Sequence, residues 1–114
     1  MIRAVISRDS LGRVVGLKVE GHSGYAPAGR DIVCAAVSAV VQTAIRGVEK
    51  VAGCSAIVET GDGVISATFA PGSPDGASGK WSEAQAILEA MVLGLMEIED
   101  GRRRYLSVSQ RGEV

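Results

Sequence analysis

Apolar and polar residues alternate from the start of the chain. Ile2, Ala4 and Ile6 fall on one side, with Arg3, Ser7 and Arg8 among the polar positions, so residues 2–9 are predicted to form a strand. Ser10-Leu11-Gly12 reads as a turn. In residues 13–20, Val15, Leu17 and Val19 alternate with Gly16, Lys18 and Glu20, which predicts a second strand closing a hairpin. Residues 21–30 hold three Gly and one Pro and form a loop too long for a simple turn. The period then changes. Residues 31–52 read as a helix with Asp31 as N-cap and Gly53 as stop. It is apolar over most of its circumference, through Ile32, Val33, Ala36, Val37, Val40, Val41, Ala44, Ile45 and Val48. So many β-branched residues weaken intrinsic helicity, and burial must hold it.

Residues 55–60 and 64–70 are predicted strands around Gly61-Asp62-Gly63, a strong hairpin signal. A Gly-, Ser- and Pro-rich loop runs from Pro71 to Lys80. Residues 82–99 form an amphipathic helix, with Ser82 and Gln85 as a capping box and Leu88, Met91, Val92, Leu95 and Met96 as its stripe. A last strand covers residues 103–109, with Leu106 and Val108 on one side. The order β-β-α-β-β-α-β implies an α+β two-layer sandwich, a mainly antiparallel sheet covered by two helices.

The length of 114 residues suits one domain over residues 1–114, with a core that needs no metal or disulfide staple. At 46% hydrophobic and 22% charged residues the composition is globular. A net charge of -1 argues against a broad electrostatic grip on nucleic acid. No apolar run approaches the roughly 20 residues of a membrane helix, and the N-terminus lacks a secretory layout, which points to the cytoplasm. Cys34 and Cys54 are 20 residues apart, so two free thiols are expected in a reducing compartment. With a single His, no metal site is expected.

Candidate chemistry centres on Cys34. At 100° per residue, Asp31, Ser38, Gln42, Arg46 and Glu49 form one polar stripe, and Cys34 lies at its edge, one turn before Ser38. With Asp31 as cap, Cys34 is the third helical residue. Its thiol then lies near unpaired backbone N–H groups and the positive end of the helix dipole, a setting that favours thiolate. His22, the only histidine, opens the Gly-rich loop that leads to this helix. A Cys–His pair would provide an activated nucleophile with a general acid for the leaving group. The bland alternative is a cysteine that packs as a small hydrophobe. Asp31 either caps the helix or orients His22. Ser38 either faces solvent, bonds a backbone carbonyl, or touches the thiol. Cys54 reads as structural. Arg102-Arg103-Arg104 is a solvated face or a contact for an anionic partner such as ribosomal RNA.

The run Gly21-His22, a Gly-rich loop, then Gly29-Arg30-Asp31-Ile32-Val33-Cys34-Ala35-Ala36-Val37-Ser38 resembles the ribosomal-processing cysteine protease family. The motif is long and specific; the agreement in length and element order extends over the whole chain but is less diagnostic. The resemblance implies a cytoplasmic cysteine endopeptidase, typically homodimeric and without cofactor. Such an enzyme removes an N-terminal extension from a large-subunit ribosomal protein, number twenty-seven in that subunit's naming, before ribosome assembly. It implies Cys34 as nucleophile, His22 as base, Asp31 and Ser38 in support, and a substrate loop that includes Gly21, Ser23, Gly24 and Gly29. Where the family often has Ala after the His, this chain has Ser23. The alternatives are a non-catalytic ribosome- or protein-binding module, which predicts an unreactive thiol, and a small-molecule sensor or structural homodimer indifferent to Cys34 and His22.

Overall fold

The structure, a computed structural model, describes the backbone of residues 1–21, 28–73 and 75–112, and the side chains of all of these except residues 28–31. Its elements are β1 (Ile2–Arg8), β2 (Val14–Glu20), α1 (Ala28–Lys50), β3 (Ser55–Gly61), β4 (Val64–Ala70), α2 (Trp81–Glu99) and β5 (Leu106–Gly112). The strands form one sheet in the order β3-β4-β2-β1-β5. Three pairings are antiparallel. The fourth, β1 with β5, is parallel, with Ile2 opposite Leu106 and Arg8 opposite Gly112.

Both helices cover one face of this sheet. Ile2, Ala4 and Ile6 of β1, Leu17 and Val19 of β2, Ala67 and Phe69 of β4 and Leu106 of β5 point into the core. They meet Val33, Val37, Val41, Ile45 and Val48 of α1 and Ala84, Leu88, Met91, Val92 and Leu95 of α2. Among the described residues no polar or charged side chain is buried. Each full burial of a Val, Leu or Ile contributes on the order of 2 kcal/mol, which outweighs the poor helix propensity of the α1 valines. Ile32–Lys50 is nonetheless long and apolar enough in composition to match a membrane span, contrary to the run-length expectation, because Gln42, Arg46 and Glu49 interrupt it only on one side. Its opposite side packs in the core just described.

Four boundaries and packing details differ from the sequence reading. α1 begins at Ala28, so Asp31 is its fourth residue and not its N-cap. Ala28 and Arg30 are good helix formers, and they carry Gly29 into the first turn. The capping box of α2 does not form: Trp81 starts the helix, and Lys80 precedes it without a side-chain cap bond. Gln85 is used elsewhere. Its Oε1 accepts from the Val14 N–H at 2.8 Å, and its Nε2 donates to the Val14 carbonyl at 2.8 Å. Val14 stands where the β1–β2 register shifts and beyond Gly16, where pairing with β4 begins, so the amide supplies partners that the sheet leaves out. β5 starts at Leu106 and not at residue 103, because Arg102 to Tyr105 make a turn, with the Tyr105 N–H donating to the Arg102 carbonyl at 2.9 Å. Met96, assigned to the buried stripe, is 44% exposed, and Ile32 of α1 is 69% exposed.

Candidate active site

One wall of the site is α1. Cys34 is its seventh residue, half-buried, with exposed Ser38 one turn further on. The predicted place for the thiol, in the first turn, is therefore corrected by one turn. Helical side chains lean toward the N-terminus, so the Cys34 side chain still tilts back toward that first turn. Cys34 is a free thiol.

Cys34, Val37 and Ser38 line a cavity of about 300 Å³. Its floor is the sheet: Ile2 of β1, Val19 of β2 and Val64 and Ile65 of β4. Thr60, Gly61 and Gly63, from the end of β3 and the β3–β4 turn, complete the far rim. Gly21 lies in the same wall, where the chain leaves β2. The cavity is therefore mostly apolar, with hydroxyls from Ser38 and Thr60 at its edge. A half-buried thiol against an apolar floor, open on one side, can hold an extended peptide with its carbonyl near sulfur.

Gly21 is held tightly. Its N–H donates to the Gly63 carbonyl at 2.9 Å. A Cβ at Gly21 would meet the Ile2 Cα at 2.9 Å, and a Cβ at Gly63 would meet the Gly21 carbonyl oxygen at 2.9 Å. Gly63 also has φ +70°, a left-handed conformation that glycine adopts without penalty. The turn signal in Gly61-Asp62-Gly63 was legible as a hairpin. Its second task, as part of the cavity rim, had no signal in the sequence, because the strand order that puts β4 beside β2 is a long-range choice.

Of the residues singled out by sequence, the structure brings Gly21, Cys34 and Ser38 to one cavity. Gly29 lies in the first turn of α1. His22, Ser23 and Gly24 lie outside the described residues, as does the side chain of Asp31. Cys54 is elsewhere and buried, and its Sγ lies 3.7 Å from the Ala52 carbonyl. Burial, and then the charge of Glu83, push its thiol pKa up. Arg102, Arg103 and Arg104 are exposed at the turn after α2, where the Arg102 guanidinium donates to the Asp100 carbonyl at 3.4 Å. No group of three or more His, Cys, Asp or Glu gathers among the described residues.

The chain is similar to known proteins throughout its length. A ribosomal processing cysteine protease Prp from Bacillus subtilis (strain 168) is 33% identical over 110 residues, 96% of either chain. The fold matches that of an essential ribosomal processing protease Prp from S. aureus, solved in complex with a substrate peptide. The TM-score is 0.83 at 24% identity, over 97% of this chain and 100% of that one. A second S. aureus Prp structure, with a covalently linked product peptide, matches with TM-score 0.79 at 25% identity over the same shares. The family model described as cysteine protease Prp matches residues 1–107. With that model spanning nearly all of a chain whose cysteine stands at the wall of an open cavity, the protein belongs to the cysteine protease Prp family.

Proposed function

We propose that the protein is a cysteine endopeptidase that removes the N-terminal extension of a large-subunit ribosomal protein, number twenty-seven, in support of ribosome assembly. The observation that carries the reading is Cys34, half-buried on an apolar cavity whose wall also includes Gly21, the residue directly before the only histidine. The relative that processes a ribosomal protein supports the substrate class, and the relative with a covalently linked product peptide supports covalent catalysis.

In this mechanism His22 takes the proton from Cys34, and the sulfur attacks the scissile carbonyl carbon. A C–S bond forms and the carbonyl oxygen becomes an oxyanion. The imidazolium returns its proton to the leaving nitrogen as the C–N bond breaks. Water, deprotonated by His22, then hydrolyses the thioester. Asp31 orients His22, Ser38 contacts the peptide beside the sulfur, and the loop between Gly21 and the first turn of α1, with Ser23 and Gly24, covers the substrate. The reaction needs no cofactor or metal. The compartment is the cytoplasm and the active species a homodimer, as the resemblance implies. Sedimentation at micromolar concentration is expected to give twice the 11.7 kDa chain mass; a monomer at every concentration refutes that assembly.

The test is cleavage of a peptide that spans the extension and the mature start of the ribosomal protein. Cys34→Ala should lower kcat by about three orders of magnitude or more, as removal of a nucleophile does in serine proteases. Equal cleavage by wild type and Cys34→Ala would remove the mechanism. A chain that binds the peptide with an unreactive thiol would favour a non-catalytic binding module.

A further inference from the structure

We infer that β3 offers its open edge to the polypeptide being cleaved, so that a segment flanking the scissile bond adds there as a further strand of the sheet. The inference rests on the cysteine endopeptidase reading above, and adds to it how the substrate backbone is held.

β3 ends the sheet, with β4 on one side and, among the described residues, no strand on the other. Its hairpin with β4 fixes which backbone groups are unused. Gly61 pairs with Val64 across the two-residue turn Asp62-Gly63. The pair that closes such a turn exchanges both of its hydrogen bonds, and hydrogen-bonded pairs then alternate along an antiparallel ladder. Ser55, Ile57, Glu59 and Gly61 therefore direct their N–H and C=O groups to β4, while Ala56, Val58 and Thr60 direct theirs outward. Among the described residues no backbone hydrogen bond outside the ladder takes these groups up. They stand in a row with a repeat of about 7 Å, the spacing at which an extended peptide presents its own.

Natural sheet edges are commonly blunted by Pro, Lys or a bulge. β3 has no Pro and no basic residue, its register with β4 runs without a shift, and Ile57 and Val58 are exposed on it. The place of this edge selects its occupant. Thr60 and Gly61, at its end, rim the cavity that holds Cys34. A chain that leaves the sulfur across this rim meets the backbone of Thr60 first, then that of Val58 and Ala56. Glu59 and Asp62 are exposed, and residues 55–63 include no basic side chain, so the edge suits a neutral or basic segment and disfavours an acidic one. Recognition of this kind draws its affinity from main-chain hydrogen bonds.

The test uses Cys34→Ala, which holds uncleaved the peptide that spans the extension and the mature start of the ribosomal protein. Amide hydrogen exchange is read residue by residue by NMR, with and without saturating peptide. Ile57 and Glu59 are expected to be protected in both samples, because β4 holds their N–H groups. Ala56, Val58 and Thr60 should exchange fast in the free protein and about tenfold or more slowly with peptide. Val58→Pro in the same background removes one outward N–H and leaves the β4 ladder whole. It should weaken peptide binding about fivefold or more, the worth of roughly one hydrogen bond. In a chain that keeps Cys34, Val58→Pro should leave the rate at which iodoacetamide alkylates that thiol unchanged. If Val58→Pro does not fold, as labelling of Cys54 in native buffer would show, exchange on the unaltered strand decides.

Unchanged exchange of the three amides at saturating peptide overturns the inference, and so does a peptide that does not bind or a folded Val58→Pro that binds as tightly as its parent. Protection that is present without peptide and grows with protein concentration would put a second copy on the edge, and overturns it too. The protease reading fails separately. If the peptide protects these amides yet wild type and Cys34→Ala cleave it equally, strand addition stands and the nucleophile falls. Cys34-dependent cleavage with unchanged exchange does the reverse.

Discussion

Two thiols of one chain meet opposite surroundings. Cys34 borders an open cavity, while Cys54 is 1% exposed and its pKa is raised by desolvation and then by Glu83. Thiolate is the species that alkylates, so burial and a raised pKa both protect Cys54. Iodoacetamide near neutral pH is expected to label Cys34 alone, with Cys54 labelled only in denaturant; peptide mass mapping reads both sites. Labelling of Cys54 first would contradict the core described here. At this scale the sequence was informative about Cys34, because a polar stripe at helical spacing located its exposure. It was less so about the helix start. A side-chain cap signature is visible in a string of letters, and Asp31 offered one, whereas the helix already begins at Ala28, three residues earlier.

Whole elements were legible wherever a period ran for six residues or more. The strands β1 to β4 and both helices lie within a few residues of their predicted places. Capping was misjudged where a side chain had a better partner across the fold. Gln85 bonds both backbone groups of Val14 and thereby ties α2 to β2. Its deletion leaves a part-buried N–H and C=O without partners, each at a cost of roughly 1–3 kcal/mol if water does not replace it. Gln85→Ala should therefore lower the unfolding free energy by about 1–3 kcal/mol in urea titration, and Gln85→Glu, which keeps one acceptor, by less. A change near zero would mean that solvent satisfies Val14. Strand β5 was placed early because Arg102 to Tyr105 look strand-compatible, yet they form the turn that lets the Val108 N–H reach the Glu99 carboxylate at 2.7 Å.

Across the molecule, the sheet order was beyond the sequence. Pairing β4 with β2, and β5 with β1, depends on contacts between residues far apart along the chain, and no local pattern encodes them. One ion pair spans these layers. Arg8 of β1 donates to both carboxylate oxygens of Glu89 on α2, at 2.5 and 2.9 Å, and its Nε donates to Gln110 of β5 at 2.9 Å. The hydrogen bond from Arg8 is the main cause that lowers the Glu89 pKa, and desolvation opposes it. A carboxylate whose folded pKa is depressed stabilises the fold above its unfolded pKa, near 4.3, and loses that contribution as pH falls through the folded value. Glu89 is nearly half exposed, so the effect is screened and should stay under about 1 kcal/mol. Wild type should lose its margin over Glu89→Gln as pH falls from about 5 through the depressed folded pKa, as read by thermal melts. A constant difference from pH 7 to pH 3 would show that the pair contributes packing and not charge.

The parallel pairing of the first and last strands has a practical side. Ile2, whose N–H is tied to the Tyr105 carbonyl at 2.8 Å, lines the cavity with Cys34, and Arg8 and Gly112 stand together at the opposite ends of their strands. An affinity tag fused ahead of Met1 would emerge beside the cavity that holds Cys34 and crowd its opening. β5 ends with Gly112 at the other end of the sheet, so a purification handle belongs on that side of the chain.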